Sequence, residues 1–349
     1  MTPLQSGFRN RGIALDAVSA DAWTPHAFTH ADDEHVATRR ALGLFDFSFM
    51  GLYEVRGPEA RRFLGKIQSR ALGPLRAGRV AYTLLIEDSG AVFIDATLWC
   101  TIDDTWWLFT GRRSDARWLA QRARGYGVTL RDRSGEFAVL ALQGPKSGHA
   151  LARIVGADEI GKLPYFGFVD TTLGNIPARI GRLGYSGELG YEILVAAKDG
   201  AAAWVMLLHE GASLGIRECG FAAANSLRIE SGFLLFGREI TGGETATELG
   251  LARLMKRPER QLDHGSRRLV GLEISSPAAS PRACQGLPLA RASSECESPL
   301  LRRRIALGFV PAQAAWPGTT VRLADARTAT VARLPFYDPA RRLPRVRPL

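Results

Sequence analysis

Phe137-Ala138-Val139-Leu140-Ala141-Leu142-Gln143-Gly144-Pro145 is the stretch whose reading decides the fold. Six apolar residues in a row have the length and character of a buried strand, and the Gly-Pro pair ends it. Residues 146–155 then read as a helix. The same grammar stands earlier in the chain. Leu52-Tyr53-Glu54-Val55 is strand-like and runs into Gly57-Pro58. Glu59-Ala60-Arg61-Arg62-Phe63-Leu64 follows as a helix with proline near its first turn. The two prolines stand 87 positions apart. A strand–Gly-Pro–helix unit used twice argues for two related α+β halves.

Other elements fall into place around this repeat. Residues 31–42 predict a helix, with Asp32, Asp33 and Glu34 early and Arg39 and Arg40 late, an order that suits the helix dipole. Gly43 is expected to stop it. Residues 80–85 and 92–99 predict a β-hairpin across Glu87-Asp88-Ser89-Gly90, with 106–109 as a neighbouring strand and a helix over 115–126. In the second half, 178–183 and 191–195 read as strands around the turn Gly184-Tyr185-Ser186-Gly187, and helices are expected near 201–210 and 221–231. After Met255 the composition changes. Residues 256–260 are a linker candidate, and short apolar runs at 269–274, 305–310, 320–323 and 328–334 alternate with Pro/Gly turns. The expectation is an α+β protein with ferredoxin-like halves over 1–135 and 136–265 and a small C-terminal β-barrel domain over 266–349.

Composition excludes several function classes. With 46% hydrophobic and 23% charged residues the chain looks like an ordinary soluble protein. No apolar run approaches the ~18 residues of a membrane span. The first ten residues are polar, without the core of a signal peptide, so a cytoplasmic location is expected. Cys100, Cys219, Cys284 and Cys296 show no CxxC spacing, and the histidines form neither HxH nor HExxH, so no metal centre is expected. The net charge of +10 comes nearly all from arginine, dispersed except at 302–304 and 341–347. No nucleic-acid motif accompanies it, which leaves solvated faces or a general attraction for anionic ligands.

A resemblance becomes specific at five segments. Leu44-Phe45-Asp46-Phe47-Ser48-Phe49-Met50, Leu142-Gln143-Gly144-Pro145, Gly184-Tyr185-Ser186-Gly187-Glu188-Leu189-Gly190-Tyr191-Glu192, Ser226-Leu227-Arg228-Ile229-Glu230-Ser231-Gly232 and Pro335-Phe336-Tyr337-Asp338 resemble, in order, motifs of the glycine-cleavage T-protein (aminomethyltransferase) family. Ala224-Asn225-Ser226-Leu227-Arg228, Asp95-Ala96-Thr97 and Thr110-Gly111 look most like the folate domain fused to dimethylglycine and sarcosine dehydrogenases. The flavin domain of those enzymes has no counterpart here. The resemblance implies two halves around a central folate channel, tetrahydrofolate as cofactor, and transfer of a one-carbon unit.

It also implies roles for individual residues. Glu192 matches the glutamate that accepts two hydrogen bonds from the pterin edge; the alternative is a strand residue facing solvent. Tyr185 matches a folate-site tyrosine, against a turn aromatic that merely packs. Met50 and Thr110 are carried over as folate contacts, with Met50 equally readable as core. Glycines 184, 187 and 190 would let the backbone approach the ring, or serve an ordinary turn. Asp95 is the candidate catalytic acid, because a fixed carboxylate stabilises iminium-like charge at a folate nitrogen; a hairpin aspartate facing water is the alternative. Ile94 stands where T-proteins carry the first of two aspartates, which argues against transfer from a carrier-borne aminomethyl group. Phe49 replaces a histidine and Ala224 an arginine of the T-protein pattern. Arg228 and Glu230 read as structural pairs with other segments.

The leading reading is a tetrahydrofolate-dependent transferase forming methylene-tetrahydrofolate from an amine-derived unit. The donor would be a small molecule or an iminium made by a flavin-dependent demethylating dehydrogenase subunit, with neither nucleic acid nor membrane as partner. A tetrahydrofolate-dependent O-, S- or N-demethylase and a non-catalytic folate-binding assembly protein are the alternatives.

Overall fold

A computed structural model describes residues 2–19, 22–102, 105–256, 266–275 and 286–349. Residues 257–260 of the expected linker, and Cys284, lie outside them.

Two mixed α+β units repeat one plan. In the first, the strands lie in the order Arg79–Ile86, Val92–Ile102, Thr105–Thr110, Gly51–Arg56, Thr129–Asp132. In the second the order is Phe168–Leu173, Ile176–Gly181, Gly190–Ala196, Phe137–Gln143, Leu42–Asp46, Ile216–Glu218. Gly51–Arg56 and Phe137–Gln143 hold equivalent places. Each is followed by a helix (Ala60–Ile67 or Ser147–Val155), a hairpin, and a strand that returns beside the first. A second helix then leads to a short last strand. The second unit departs from the plan by an extra helix, Ala157–Lys162, and by Leu42–Asp46, which enters its sheet from the N-terminal segment. Leu42–Asp46 pairs antiparallel with Phe137–Gln143 and takes the last strand, Ile216–Glu218, parallel on its other side. Residues 1–135 therefore serve both sheets.

The Gly-Pro pairs carry the repeat at the backbone level. Gly57 and Gly144 adopt φ of 124° and 128°, a region that L side chains avoid. A Cβ on either would lie 2.4 Å from Gly127 O or 2.5 Å from Ala41 O. Gly43, by contrast, does not stop the helix. Ala31–Arg40 ends before it, and Gly43 lies inside the next strand, where a Cβ would come 2.3 Å from Thr38 Oγ1.

Strand alternation sorts the apolar residues into layers. Leu44, Leu140, Tyr191, Ile193 and Trp204 pack the second sheet against its helices. Tyr53, Phe63, Ile94, Leu98 and Trp106 do the same for the first. The other faces of the two sheets meet through Phe45, Phe47, Phe49, Trp99, Phe109, Val139 and Leu194. Burying one such side chain is worth about 1.5–3 kcal/mol, so this middle layer is what joins the halves. Val80 N–H donates to Phe166 O and Phe168 N–H to Gly78 O, both at 2.9 Å, stitching the two hairpins together.

The C-terminal domain is a five-stranded sheet in the order Arg291–Ser298, Arg303–Pro311, Arg267–Ile274, Thr328–Ala332, Thr320–Arg322. It has its own core of Leu272, Val310, Val321 and Val331. Its other face meets Leu84, Val92 and Ile229 through Leu269, Ile305 and Phe309. The α+β class with a small C-terminal β domain is as the sequence leads one to expect.

Candidate active site

The glycine-rich signature is held by the other motifs. A Cβ on Gly184 would fall 1.9 Å from Gln143 Oε1, and one on Gly190 2.4 Å from the same amide. Ser186 Oγ donates to Gln143 Oε1 at 2.9 Å, and Ser231 Oγ donates to Ser186 O at 2.7 Å. These glycines thus make room for side chains of neighbouring motifs rather than for a ligand. Arg39 completes the frame. It is buried and donates to Glu188 at 2.9 Å, to Glu230 at 2.8 Å and to Ser186 O at 2.8 Å. The Tyr337 ring lies 4.2 Å from its guanidinium. Arg228 pairs with Glu239 at 2.7 Å, both fully buried. Arg228 and Glu230 are structural, as expected from sequence.

Glu192 is different. Its neighbours Tyr191 and Ile193 point into the helix-side core, so Glu192 points with Leu194 into the space between the sheets. It is 7% exposed, and no hydrogen bond or ion pair of its carboxylate is found among the described residues. Burial alone pushes its pKa up to about 7. Its cross-strand partners are Ala141 and Gly181, two of the smallest residues. Gly181 is small for a reason: a Cβ there would sit 2.2 Å from the Trp99 ring. The carboxylate is therefore desolvated and, among the described residues, unpaired, with only small residues across the strands from it.

Asp95 lies on Val92–Ile102 and shares a strand face with Thr97 and Trp99. Most of its surroundings are protein, yet it keeps some solvent contact. Burial raises its pKa to about 6, against the opposing effect of a 3.1 Å hydrogen bond donated by Tyr82 Oη. Ile94 points the other way and is fully buried in the helix-side core of the first half. A carboxylate at position 94 would enter that core, not the space Asp95 faces. Ile94 is thereby a core position on the face opposite the Asp95 carboxylate.

The remaining expected residues divide. Tyr185 packs on the middle layer, its ring stacked on Phe233 at 5.9 Å and its hydroxyl donating to Leu234 O. Asp95 and Tyr82 both lie within electrostatic range of it. Met50 packs at the edge of the same layer. Thr110 does not join them. It lies across from Ala96, on the face that carries Ile94, and its hydroxyl donates to Arg112 O at 2.9 Å. Tyr82 and Trp99 were not anticipated, although their alternation with Asp95 on a predicted hairpin was the available signal. A small cleft lined by Tyr165, Phe233, Tyr337, Arg341 and Arg345 among others adjoins the Tyr185–Phe233 stack. Neither Asp95 nor Glu192 lines it.

Among the described residues no cluster of His, Cys, Asp or Glu has the arrangement of a metal site, and no helix is long and apolar enough to cross a membrane.

Comparison with known proteins assigns this arrangement to a family. Residues 12–258 match the GCVT N-terminal domain and residues 267–338 the glycine cleavage T-protein C-terminal barrel domain. The chain is 34% identical to an aminomethyltransferase of Symbiobacterium thermophilum, with 91% of this chain and 92% of that one covered. It is 35% identical to an aminomethyltransferase of Thermus thermophilus, over 89% and 92%. The crystal structure of the glycine cleavage system aminomethyltransferase T from Bartonella henselae has the same fold, with a TM-score of 0.82, 24% identity and coverage of 96% and 97%. The chain belongs to the glycine-cleavage T-protein (aminomethyltransferase) family, whose members are tetrahydrofolate-dependent one-carbon transferases.

Proposed function

We propose that this chain forms methylene-tetrahydrofolate from an amine-derived one-carbon unit in the space between its two sheets. The observation that carries this reading is Glu192, a buried carboxylate without a partner among the described residues, flanked by Ala141 and Gly181. Leaving such a group unpaired is costly, so the site is built for a ligand that donates two hydrogen bonds side by side. The amino group and ring N–H of a pterin do so. Trp99, against Gly181, forms a wall next to that position. Asp95 is four residues from Trp99 on the same strand, about 13 Å along it, so a ligand serving both carboxylates has to be elongated.

Asp95 supplies the acid–base function. The carbon arrives at the oxidation level of formaldehyde, and two C–N bonds to folate replace its two bonds to the donor. The donor fragments depart with the protons that the folate nitrogens lose, and no oxidant is needed. An ionised Asp95 stabilises the iminium-like charge and takes up a proton from the attacking nitrogen.

Calorimetry with tetrahydrofolate tests the binding half. Glu192→Gln loses one acceptor and mispairs a donor, and should weaken binding by about 2–3 kcal/mol. Unchanged affinity removes Glu192 from the site. A donor panel tests the chemical half, comparing a carrier-borne aminomethyl group, an iminium from a flavin-dependent dehydrogenase, and methylated amines, ethers and thioethers. Methylene-tetrahydrofolate from the aminomethyl or iminium donor, each already at the oxidation level of formaldehyde, is the expected product. Methyl-tetrahydrofolate from a methyl donor would favour the demethylase reading instead.

A further inference from the structure

We infer that Tyr82 is a positioning residue for the transfer, its hydroxyl holding the Asp95 carboxylate in the orientation the reaction uses. The inference rests on Asp95 being the reaction-centre acid. Tyr82 and Asp95 stand on adjacent antiparallel strands, Arg79–Ile86 and Val92–Ile102. Tyr82 faces Thr97 directly and Asp95 faces Leu84, so the two form a diagonal pair on one sheet face, within reach of a long aromatic side chain. Tyr82 Oη donates to Asp95 Oδ2 at 3.1 Å. No other side chain hydrogen-bonds to Asp95 among the described residues.

The charges facing Asp95 make that single bond matter. Glu239 and Asp115 are both acidic and disfavour its ionisation, as does burial. The Tyr185 phenol faces it as well. Glu239 and Asp115 are themselves paired with Arg228 and Arg112. No cation pairs with Asp95 itself among the described residues, and the Tyr82 hydroxyl is the side chain whose hydrogen bond favours the carboxylate. Tyr82 suits the task because burial and Asp95 together hold its own phenol well above the ordinary range, so it stays a donor. Arg341, the cation facing Tyr82, opposes that rise without reversing it. A carboxylate fixed at one oxygen keeps the other free for a substrate proton, and loses no rotamer freedom at the moment of reaction.

The test pairs Tyr82→Phe with Asp95→Asn and with the double variant, each checked for native circular dichroism. Tyr82→Phe should leave the Kd for tetrahydrofolate within about twofold and lower kcat by about 10- to 100-fold, the usual range for a group supporting acid–base catalysis. The acid limb of its pH–kcat profile should move up by about one unit, because the lost bond favoured the charged form. In the Asp95→Asn background, Tyr82→Phe should cost nothing further. If Asp95→Asn abolishes turnover while Tyr82→Phe leaves both kcat and the acid limb in place, the role of Tyr82 is overturned and that of Asp95 stands. An equal loss from Tyr82→Phe in both backgrounds also overturns it. Wild-type turnover by Asp95→Asn removes both roles together.

Discussion

Ile94 and Asp95 are neighbours in the chain whose side chains enter opposite faces of one strand, the first a fully buried core position and the second a carboxylate in the space between the sheets. Ile94→Asp should therefore not improve transfer from any donor. It places a charge among Leu64, Leu85, Leu98 and Leu108 and should destabilise the fold by roughly 3 kcal/mol or more. Ile94→Val should cost about 1 kcal/mol and leave turnover unchanged. Urea unfolding and donor assays on both variants check this. A gain of aminomethyl transfer by Ile94→Asp would show that position 94 reaches the reaction centre.

That pair also shows how far the sequence could be read. Each Gly-Pro punctuation mark follows a strand and precedes a helix because φ near +125° and a crowded backbone leave no room for another residue. The hairpin strands and most helices were legible from apolar spacing for the same local reason. Leu42–Asp46 was not, because insertion into a sheet built mainly from residues past 137 is a tertiary event with no local signal. Arg291–Ser298 was hidden by its polar composition, which an edge strand tolerates. Of the candidate site, the buried carboxylates Glu192 and Asp95 were legible through motif and hairpin. The motif could not say which glycines serve a ligand, and the structure assigns 184 and 190 to Gln143. Thr110 shares a motif with Gly111, but strand alternation sends its side chain to the wrong face.

Glu192 predicts a conflict between stability and binding. Its pKa rises from 4.5 to about 7 on folding, so the folded state binds more protons than the unfolded state between those values. Stability without ligand should consequently fall as pH rises from about 4.5 through 7, and stay low above. Glu192→Gln removes that cost and should stabilise the unliganded protein by about 1–3 kcal/mol at pH 8, with little gain at pH 4.5. Thermal unfolding at the two pH values measures the difference. Tetrahydrofolate should raise the wild-type Tm and raise that of the variant much less. A variant that is less stable than wild type at pH 8 would mean that Glu192 has a partner in the unliganded protein.

Arg39 predicts a loss of stability that also reaches the site. Its guanidinium neutralises both Glu188 and Glu230, all three nearly inaccessible to solvent. Arg39→Met leaves two buried carboxylates without their cation, and His35, 3.1 Å from Glu230, remains beside only one of them. The expected loss is about 3–5 kcal/mol in urea unfolding. Because the same cluster positions the Ser186 carbonyl next to Tyr185, tetrahydrofolate binding should weaken as well. A variant of wild-type stability would show that the cluster tolerates unpaired acids.

Asp95 sets the expected pH dependence of turnover. Its pKa, raised from 3.8 to about 6 by burial, leaves it mostly ionised at pH 7 but close to its titration. If the carboxylate takes up the proton of the attacking nitrogen, kcat should fall as pH drops through 6 and hold above it. Were the neutral acid the working form, the profile would run in the opposite sense and activity would decline above pH 6. Asp95→Asn keeps the shape and one acceptor but neither the charge nor the basicity. It should reduce methylene-tetrahydrofolate formation by ~10²–10³, the usual cost of one electrostatic group at a reaction centre, and flatten the acid limb. Tetrahydrofolate affinity should stay within about twofold, since the proposed hold on the pterin edge is Glu192 and not Asp95. The two readouts separate chemistry from binding. A tenfold loss of affinity with unchanged kcat would make Asp95 a binding residue, and the proton would then have to leave by another route.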